Sequence, residues 1–583
     1  MENSEIARIF EEIAELLEIK GENPFRVRSY RNAAVVVEGW PESFRTLLEK
    51  GEENLKGIHG IGDSTREKII EMLTTGKCAF HDKLLKDLPP GILDVLRISG
   101  VGPKKAALLY KERGIGSVDE LEAAARAGSL HDLPGLGEKT EQNIVKSIEG
   151  FHEVSGRFTL PSALAWAYAY VEHLKKVPGI KDIVPAGSLR RWKDSIGDID
   201  ILVTCSKPGP VMDAFAAYPE VREVVEKGTT RSAVILKTGI RVDLRVVDRR
   251  ELGSAMQYFT GSQAHNIAIR DRAKRMGLKV SEYGVFVEKG EKGEKWVAGK
   301  TEEDVYRALG LPWIPPELRE NRGEIEAALE GNLPTELKVA DIRGDLHAHT
   351  TESDGGNTLE EMAEAAMARG YEYLAVTDHS RAVAVAGGLD EKRLAAQIRA
   401  IEAFNEKLAK RNKKFRVLRG TEVDIRADGS LDHPEKILKK LDCVVAAVHS
   451  GFGMAGEQMT GRIVKAIRTG LVNVIAHPTG RIVGSRAPYE VDLDVVMEEA
   501  GKYGVALELN SYPERLDLDD VHLRLARDRG VMVAISTDSH STTHLANIEY
   551  GVHTARRGWL ERKDVLNTRP LKELMKFLGN KGK

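Results

Sequence analysis

Cysteine is scarce. Three residues, Cys78, Cys205 and Cys443, stand in a chain of 583, too far apart to form a C-x-x-C pair. That excludes a disulfide-framed secreted domain and a thiolate metal site, and implies a reducing, cytoplasmic setting. Long apolar runs are also lacking, and none approaches the ~20 residues of a membrane-spanning helix, so no membrane partner is expected. The first twenty residues are acidic and helical in spacing, without the basic start and apolar centre of a signal peptide. Nor does one sign of charge dominate: the formal net charge is −3. Its distribution is uneven. Residues 1–150 carry 21 Lys+Arg against 26 Asp+Glu, whereas residues 151–300 carry 25 against 18. The local basic excess suits a segment that handles a polyanion. A chain of this length is expected to hold several domains, each with its own core.

What is present begins with a repeat. IHGIGDSTREKI (58–69), ISGVGPKKAALL (98–109) and LPGLGEKTEQNI (133–144) share an apolar residue, a Gly-x-Gly two residues later, and an apolar anchor at the far end of a helix. Gly60, Gly62, Gly100, Gly102, Gly135 and Gly137 permit positive φ and close approach. Backbone N–H groups at each helix start, with Lys104 beside the second, can then face phosphate oxygens without reading bases. A single such turn is often only a tight helical corner. Three in succession resemble helix-hairpin-helix motifs, which hold DNA strands in repair proteins.

The stretch 187–202, GSLRRWKDSIGDIDIL, sets Asp198 and Asp200 one residue apart in an apolar run. In a strand, Ile199 and Ile201 face the core and both carboxylates share the other face, an arrangement that calls for a hard divalent cation. RVDLRVV (241–247) alternates in the same way and supplies a third carboxylate, Asp243. Three carboxylates on adjacent strands can bind two metal ions. Gly187, Ser188 and Arg191 would hold a triphosphate through a backbone N–H, a hydroxyl and a guanidinium.

These motifs, with YFTGSQAHNIAIR (258–270), resemble the palm and thumb of family X DNA polymerases, the family of polymerase beta. The resemblance implies that Asp198 and Asp200 are ligands shared by two Mg²⁺ or Mn²⁺ ions, and that Asp243 binds the ion beside the primer 3′-hydroxyl. It makes Ser188, Arg191 and Gly197 triphosphate contacts. Tyr258 and Phe259 become a sugar-discriminating step before a cis peptide at Gly261-Ser262. Asn266 and Arg270 touch the nascent pair and the template, Arg241 touches the primer backbone, and Arg245 is a switch residue that pairs with the second aspartate in an inactive form. Lys68 falls at the position of the family's Schiff-base lysine. Because Arg26 and Ser64 replace its supporting lysines, a phosphate contact is the expected role.

Ten of the sixteen histidines lie beyond residue 340, where seven apolar runs alternate with amphipathic helices. Six runs end in ligand-type residues; the seventh, VALELN (505–510), is read as carrying none. The pattern predicts a β/α barrel with its site at the C-terminal ends of the strands. His347, His349, Asp354, His379, Glu422, His449, His477, Asp538 and His540 form a sulfur-free set suited to two or three Mn²⁺, Zn²⁺ or Fe²⁺ ions and to phosphoester hydrolysis. Asp378 is expected to support a ligand, and Arg481 to clamp a phosphate. His433 and His544 are read as structural. The set resembles the polymerase and histidinol phosphatase (PHP) domain, a distorted seven-stranded β/α barrel.

The expected fold is multidomain, α+β and α/β. It comprises a lyase-like helical DNA-binding domain (1–80), a fingers-like domain with two hairpins (81–155), a nucleotidyltransferase palm (156–250), a thumb (251–320), a linker (321–340) and a PHP phosphoesterase (341–583). The expected function is template-directed gap filling in DNA repair by a monomer acting on gapped or nicked DNA and dNTPs, with 3′-5′ exonuclease trimming by the barrel. Two readings stay open beside it: a template-free nucleotidyltransferase carrying a small-molecule phosphatase, and a DNA-end-binding scaffold.

Overall fold

A computed structural model describes residues 3–38, 44–58, 60–89, 91–96, 98, 101–137, 140–141, 144–145, 157–288, 294–411 and 413–579. The chain forms two compact units, 1–155 and 156–583.

The first unit is helical. Its three Gly-x-Gly segments fold alike where they are described; Gly100 lies outside the described residues. Ile61, Val101 and Leu136 each donate a backbone N–H to the carbonyl three residues back, at 3.0 Å in all three turns. Anchors at constant offsets, Ile58/Ile61/Ile69, Ile98/Val101/Leu109 and Leu133/Leu136/Ile144, are all buried in one core. Gly62 and Gly102 are the N-caps of the helices Asp63–Thr75 and Pro103–Arg113, and no side chain caps either end. Gly60 stands at φ +91°, where a β-carbon would lie 2.7 Å from Val36, so the first turn has no room for a side chain.

The second unit opens with a five-stranded sheet: β1 (Ile180–Pro185), β2 (Asp198–Cys205), β3 (Val221–Lys227), β4 (Arg231–Leu236) and β5 (Arg241–Val246), in the order β1-β2-β5-β4-β3. β2 and β5 run parallel with Asp200 opposite Asp243, whereas β4 and β5 pair antiparallel as a hairpin. The helix Leu160–Leu174 covers the apolar face with Ile199, Ile201, Val242 and Leu244 beneath it, which leaves the aspartates on the open face. β3 is a mostly exposed edge strand, so its sequence shows little core alternation.

A helical pair, Leu252–Thr260 and Gln263–Arg275, leads to a small antiparallel sheet of β6 (Leu278–Ser281), β7 (Gly284–Glu288) and β8 (Glu294–Ala298). Gly261-Ser262, between the two helices, is cis as expected. The stretch 321–340, read as a linker, is packed rather than free. Its helix Glu324–Glu330 buries Ile325 and Ala328 in this subdomain's core, and Glu324 accepts a hydrogen bond from buried His265 at 2.6 Å.

The seven apolar runs form one parallel sheet in chain order: β9 (Gly344–Asp345), β10 (Tyr373–Val376), β11 (Arg416–Asp424), β12 (Cys443–Ala447), β13 (Val474–Ile475), β14 (Ala506–Asn510) and β15 (Val533–Ser536). A single bridge between Ala348 and Ser539 closes first strand to last. Both faces are covered, which is why the strands read as continuous apolar runs. Small interior residues such as Ala375, Ala447, Ala506 and Ala534 fill the barrel, and the C-terminal helix Leu571–Leu578 packs Leu574 and Leu578 against this interior. Asn473, at the start of β13, donates to the Leu578 carbonyl at 3.0 Å, so this helix plugs the end opposite the ligand-bearing strand ends.

Two candidate metal centres

The first centre is a cleft of about 1010 Å³ on the open face of the five-stranded sheet. Asp198 and Asp200 line its floor, and Gly187, Ser188, Arg191 and Gly197 line it from the turns before β2. Tyr258, Phe259, Gly261, Asn266 and Arg270 line it from the helical pair, and Arg241 from β5. Burial, and then the carboxylates of Asp198 and Asp243, push Asp200 up to about 7. A buried aspartate whose ionisation two neighbouring carboxylates oppose fits a divalent cation. Gly187, at φ +65°, is a second sign of fit: a β-carbon there would lie 2.5 Å from Asp200 Oδ2.

Several side chains are engaged in ways the sequence does not disclose. Arg241 forks onto Asp243, with Nε to Oδ2 at 2.6 Å and Nη2 to Oδ1 at 3.2 Å. Arg191 donates to Glu320 at 3.0 Å and to the Thr260 carbonyl. Its guanidinium is therefore fixed at the rim. Asn266 donates to the Tyr258 carbonyl at 2.7 Å and accepts from Gln257 at 2.8 Å, which sets the step made by Tyr258 and Phe259. The Arg245 guanidinium lies 4.5 Å above the Phe259 ring. Arg157 and Lys193 also line the cleft; sequence reasoning missed both.

The second centre lies at the C-terminal ends of the barrel strands, where all nine expected donors meet. Among the described residues, three groups place their ligand atoms within 4.8 Å of one another: His349/Asp354/His379/His540, His347/His349/Glu422 and His379/Glu422/His449. The three aspartates of the first centre are not drawn in so tightly. Glu422 is the hub, with imidazole nitrogens of His379 at 2.8 Å, His449 and His477 at 3.1 Å, His347 at 3.4 Å and His349 at 3.6 Å. Asp538 adds an oxygen 3.1 Å from His349, and Asp354 lies 3.4 Å from both His379 and His540.

Many of these close approaches lack hydrogen-bond geometry. His347 Nε2, His349 Nδ1, His379 Nδ1 and Glu422 Oε2 are buried without a hydrogen-bond partner. Such atoms converge on common points rather than on each other, as metal ligands do. The electrostatics of the carboxylates agree. Burial opposes ionisation of Glu422 and Asp538, yet the surrounding imidazoles hold both well below the usual carboxylate range. Burial and then neighbouring imidazoles push His349 down, toward the neutral form that ligates.

Strand β14 corrects one expectation, for it does serve the site. Glu508 accepts from His347 Nδ1 at 2.8 Å and from the His477 backbone at 2.7 Å, and Asn510 donates to Asp538 at 3.1 Å. Asp424 orients His449 at 3.1 Å. Asp378, expected to support a ligand, accepts from Thr350, Ser353 and Gln397, none of them one of the nine donors. Arg481 does not face the cluster: it is spent on the carbonyls of Arg515 and Leu516 and on Asp194. The guanidinium near the cluster is instead that of Arg515, 3.8 Å from Asp538. A run ending in Glu-x-Asn inside an apolar strand was the available signal for β14.

In the first unit, exposed Lys104 stands in the first turn of its helix, and Gly135 takes φ +79°. Lys68 bonds Ser64 Oγ at 3.0 Å and lies 5.1 Å above the Phe80 ring.

Comparison with known proteins gives four family matches: a helix-hairpin-helix domain over residues 1–78, a SAM-like helix-hairpin-helix tandem over 92–149, the DNA polymerase beta thumb over 255–320 and the PHP domain over 345–512. The DNA polymerase/3′-5′ exonuclease PolX of Bacillus subtilis is 38% identical, covering 99% of both chains. A probable phosphatase of Thermoanaerobacter sp. is 28% identical, covering 38% of this chain and 89% of its own. DNA polymerase lambda of Rattus norvegicus is 26% identical, covering 54% of this chain and 56% of its own.

Proposed function

The chain belongs to the family X DNA polymerases that carry a C-terminal PHP domain, and from that premise we propose that it fills gaps in DNA by templated synthesis and trims 3′ ends in its barrel. It is a DNA-binding enzyme that uses divalent metal ions at two separate centres. The observation that carries the reading is the pairing, within one chain, of three aspartates on adjacent strands of one sheet, two of them lining a cleft, and a nine-donor barrel cluster.

In the cleft, Asp198, Asp200 and Asp243 would hold Mg²⁺ or Mn²⁺, with Arg241 passing from Asp243 to the primer backbone. Ser188, Arg191 and the backbone at Gly187 and Gly197 hold the triphosphate. Tyr258 and Phe259 close on the sugar, while Asn266 and Arg270 touch the nascent pair and the template. In the barrel, the nine donors would hold two or three Mn²⁺, Zn²⁺ or Fe²⁺ ions. Bound ions would neutralise charge on the reacting phosphates at both centres and raise the acidity of the attacking hydroxyl or water. Glu508 and Asp424 fix the imidazole orientations that ligation requires. Arg515, rather than Arg481, offers the guanidinium for a phosphate of the 3′ end. The three hairpins grip the DNA backbone without regard to sequence. The enzyme works as a monomer in the cytoplasm.

Primer extension on one-nucleotide-gapped DNA, with and without a templating base, tests the reading. Incorporation should follow the templating base and fall away without it; equal incorporation on single strands would return the template-free nucleotidyltransferase to first place.

A further inference from the structure

The turn 191–194, Arg-Trp-Lys-Asp, is held by three side chains of the barrel. Arg557, buried in the helix Ile548–Arg557, donates to the Arg191 carbonyl at 2.6 Å. The same guanidinium reaches Glu320 at 3.0 Å, and Glu320 in turn accepts from Arg191 Nε at 3.0 Å. His553, one helical turn earlier, stacks on Trp192 with ring centroids 3.6 Å apart and planes within 3°. Arg481, in the loop that begins with the ligand His477, donates to Asp194 at 3.0 Å. Trp192 takes φ +53°, a backbone state that bulky residues rarely adopt without outside support. Between these held residues, Lys193 lines the cleft.

We propose that the barrel forms one supporting wall of the nucleotide site, clasping the turn 191–194 so that Arg191 and Lys193 face the incoming triphosphate. The proposal rests on reading the cleft as the nucleotide site. Contacts that served only to tether two domains would have no reason to converge on Arg191, Trp192 and Asp194, three residues of one short turn whose Arg191 and Lys193 line that cleft. Here separate barrel segments, around 481 and 553–557, meet there. Arg481, His553 and Arg557 are positioning residues, since each acts through a residue of the turn, while Lys193 is a further cation for the triphosphate.

The test is the KM for dNTP on one-nucleotide-gapped DNA, with trimming of a 3′-labelled strand measured on the same full-length preparations. Arg481→Ala and His553→Ala should each raise KM about tenfold, the scale of one lost charge-assisted or stacked contact, with trimming unchanged in His553→Ala. Asp194→Ala, which leaves the barrel loop untouched, should match Arg481→Ala in KM and keep trimming unchanged, and the KM of the double variant should be no worse than that of either single one, because both remove the same contact to the turn. His553→Phe keeps a ring on Trp192 and should restore most of the affinity. Wild-type KM in Arg481→Ala and His553→Ala would overturn the proposal. Incorporation that survives Asp243→Ala would instead overturn the reading of the cleft beneath it.

Discussion

Gly187 shows how closely the first centre is fitted at the scale of single residues. At φ +65°, with a would-be β-carbon 2.5 Å from Asp200 Oδ2, it leaves no room for even a methyl group. Gly187→Ala should displace the carboxylate and lower incorporation about a hundredfold, since an ångström of misplacement costs that much. Trimming at the barrel centre, which shares no ligand with the cleft, should be unchanged, and steady-state rates for both activities check this. Residues of this kind were legible in the sequence where their spacing is local. Asp198 and Asp200 share a strand face, Asp243 follows the same alternation, and the barrel donors sit at the ends of apolar runs. Arg515 was not legible, and Glu508 was legible only as an acid inside an apolar run, because what defines their roles is a neighbour elsewhere along the chain. Glu508 meets His347 across 161 positions and Asp538 lies 3.8 Å from Arg515. Arg481 misled for the same reason: its partner Asp194 is 287 positions away.

At the scale of elements, one carboxylate joins the turn before β2 to the subdomain that follows the five-stranded sheet. Glu302 accepts both terminal nitrogens of Arg190, at 2.8 and 2.6 Å, and Nη1 of fully buried Arg319 at 2.6 Å. Burial opposes its ionisation, yet Arg190 and Arg319 lower it from the ordinary 4.5 to about 2. A carboxylate with a depressed folded value contributes stability above its unfolded value, and that contribution is lost as pH falls from about 4.5 toward 2. Glu302→Ala strands two guanidiniums, one of them fully buried, and should destabilise the protein by about 3–5 kcal/mol. Urea unfolding at neutral pH checks the magnitude, and the difference from wild type should shrink toward pH 2. The hairpins make a second element-scale case. Their repeat was fully legible, since buried anchors at constant offsets leave the same imprint three times. Lys104→Glu should weaken DNA binding alike for all sequences and reduce the log-log salt slope, each phosphate contact being worth about 0.9. Fluorescence anisotropy across a salt series checks it, and a base-dependent loss would contradict a backbone grip. The packed state of residues 321–340 was hidden, because a short polar helix reads as a linker until the core that receives Ile325 and Ala328 is known.

Over the whole molecule, the chain carries two sets of candidate ligands with no residue in common. The aspartates stand on the open face of a five-stranded sheet, and the nine barrel donors stand at strand ends supplied by residues beyond 340. The family resemblance made both sets legible, whereas the clasp between barrel and cleft emerges only when the unit is assembled. The most direct measurement uses one gapped substrate labelled so that extension and 3′ shortening are read together, with wild type, Asp243→Ala and Glu422→Ala. Asp243→Ala should lose extension and keep trimming. Glu422→Ala, which removes the oxygen pair nearest five imidazoles, should lose trimming and keep extension. Loss of both activities by either folded variant would contradict two independent centres.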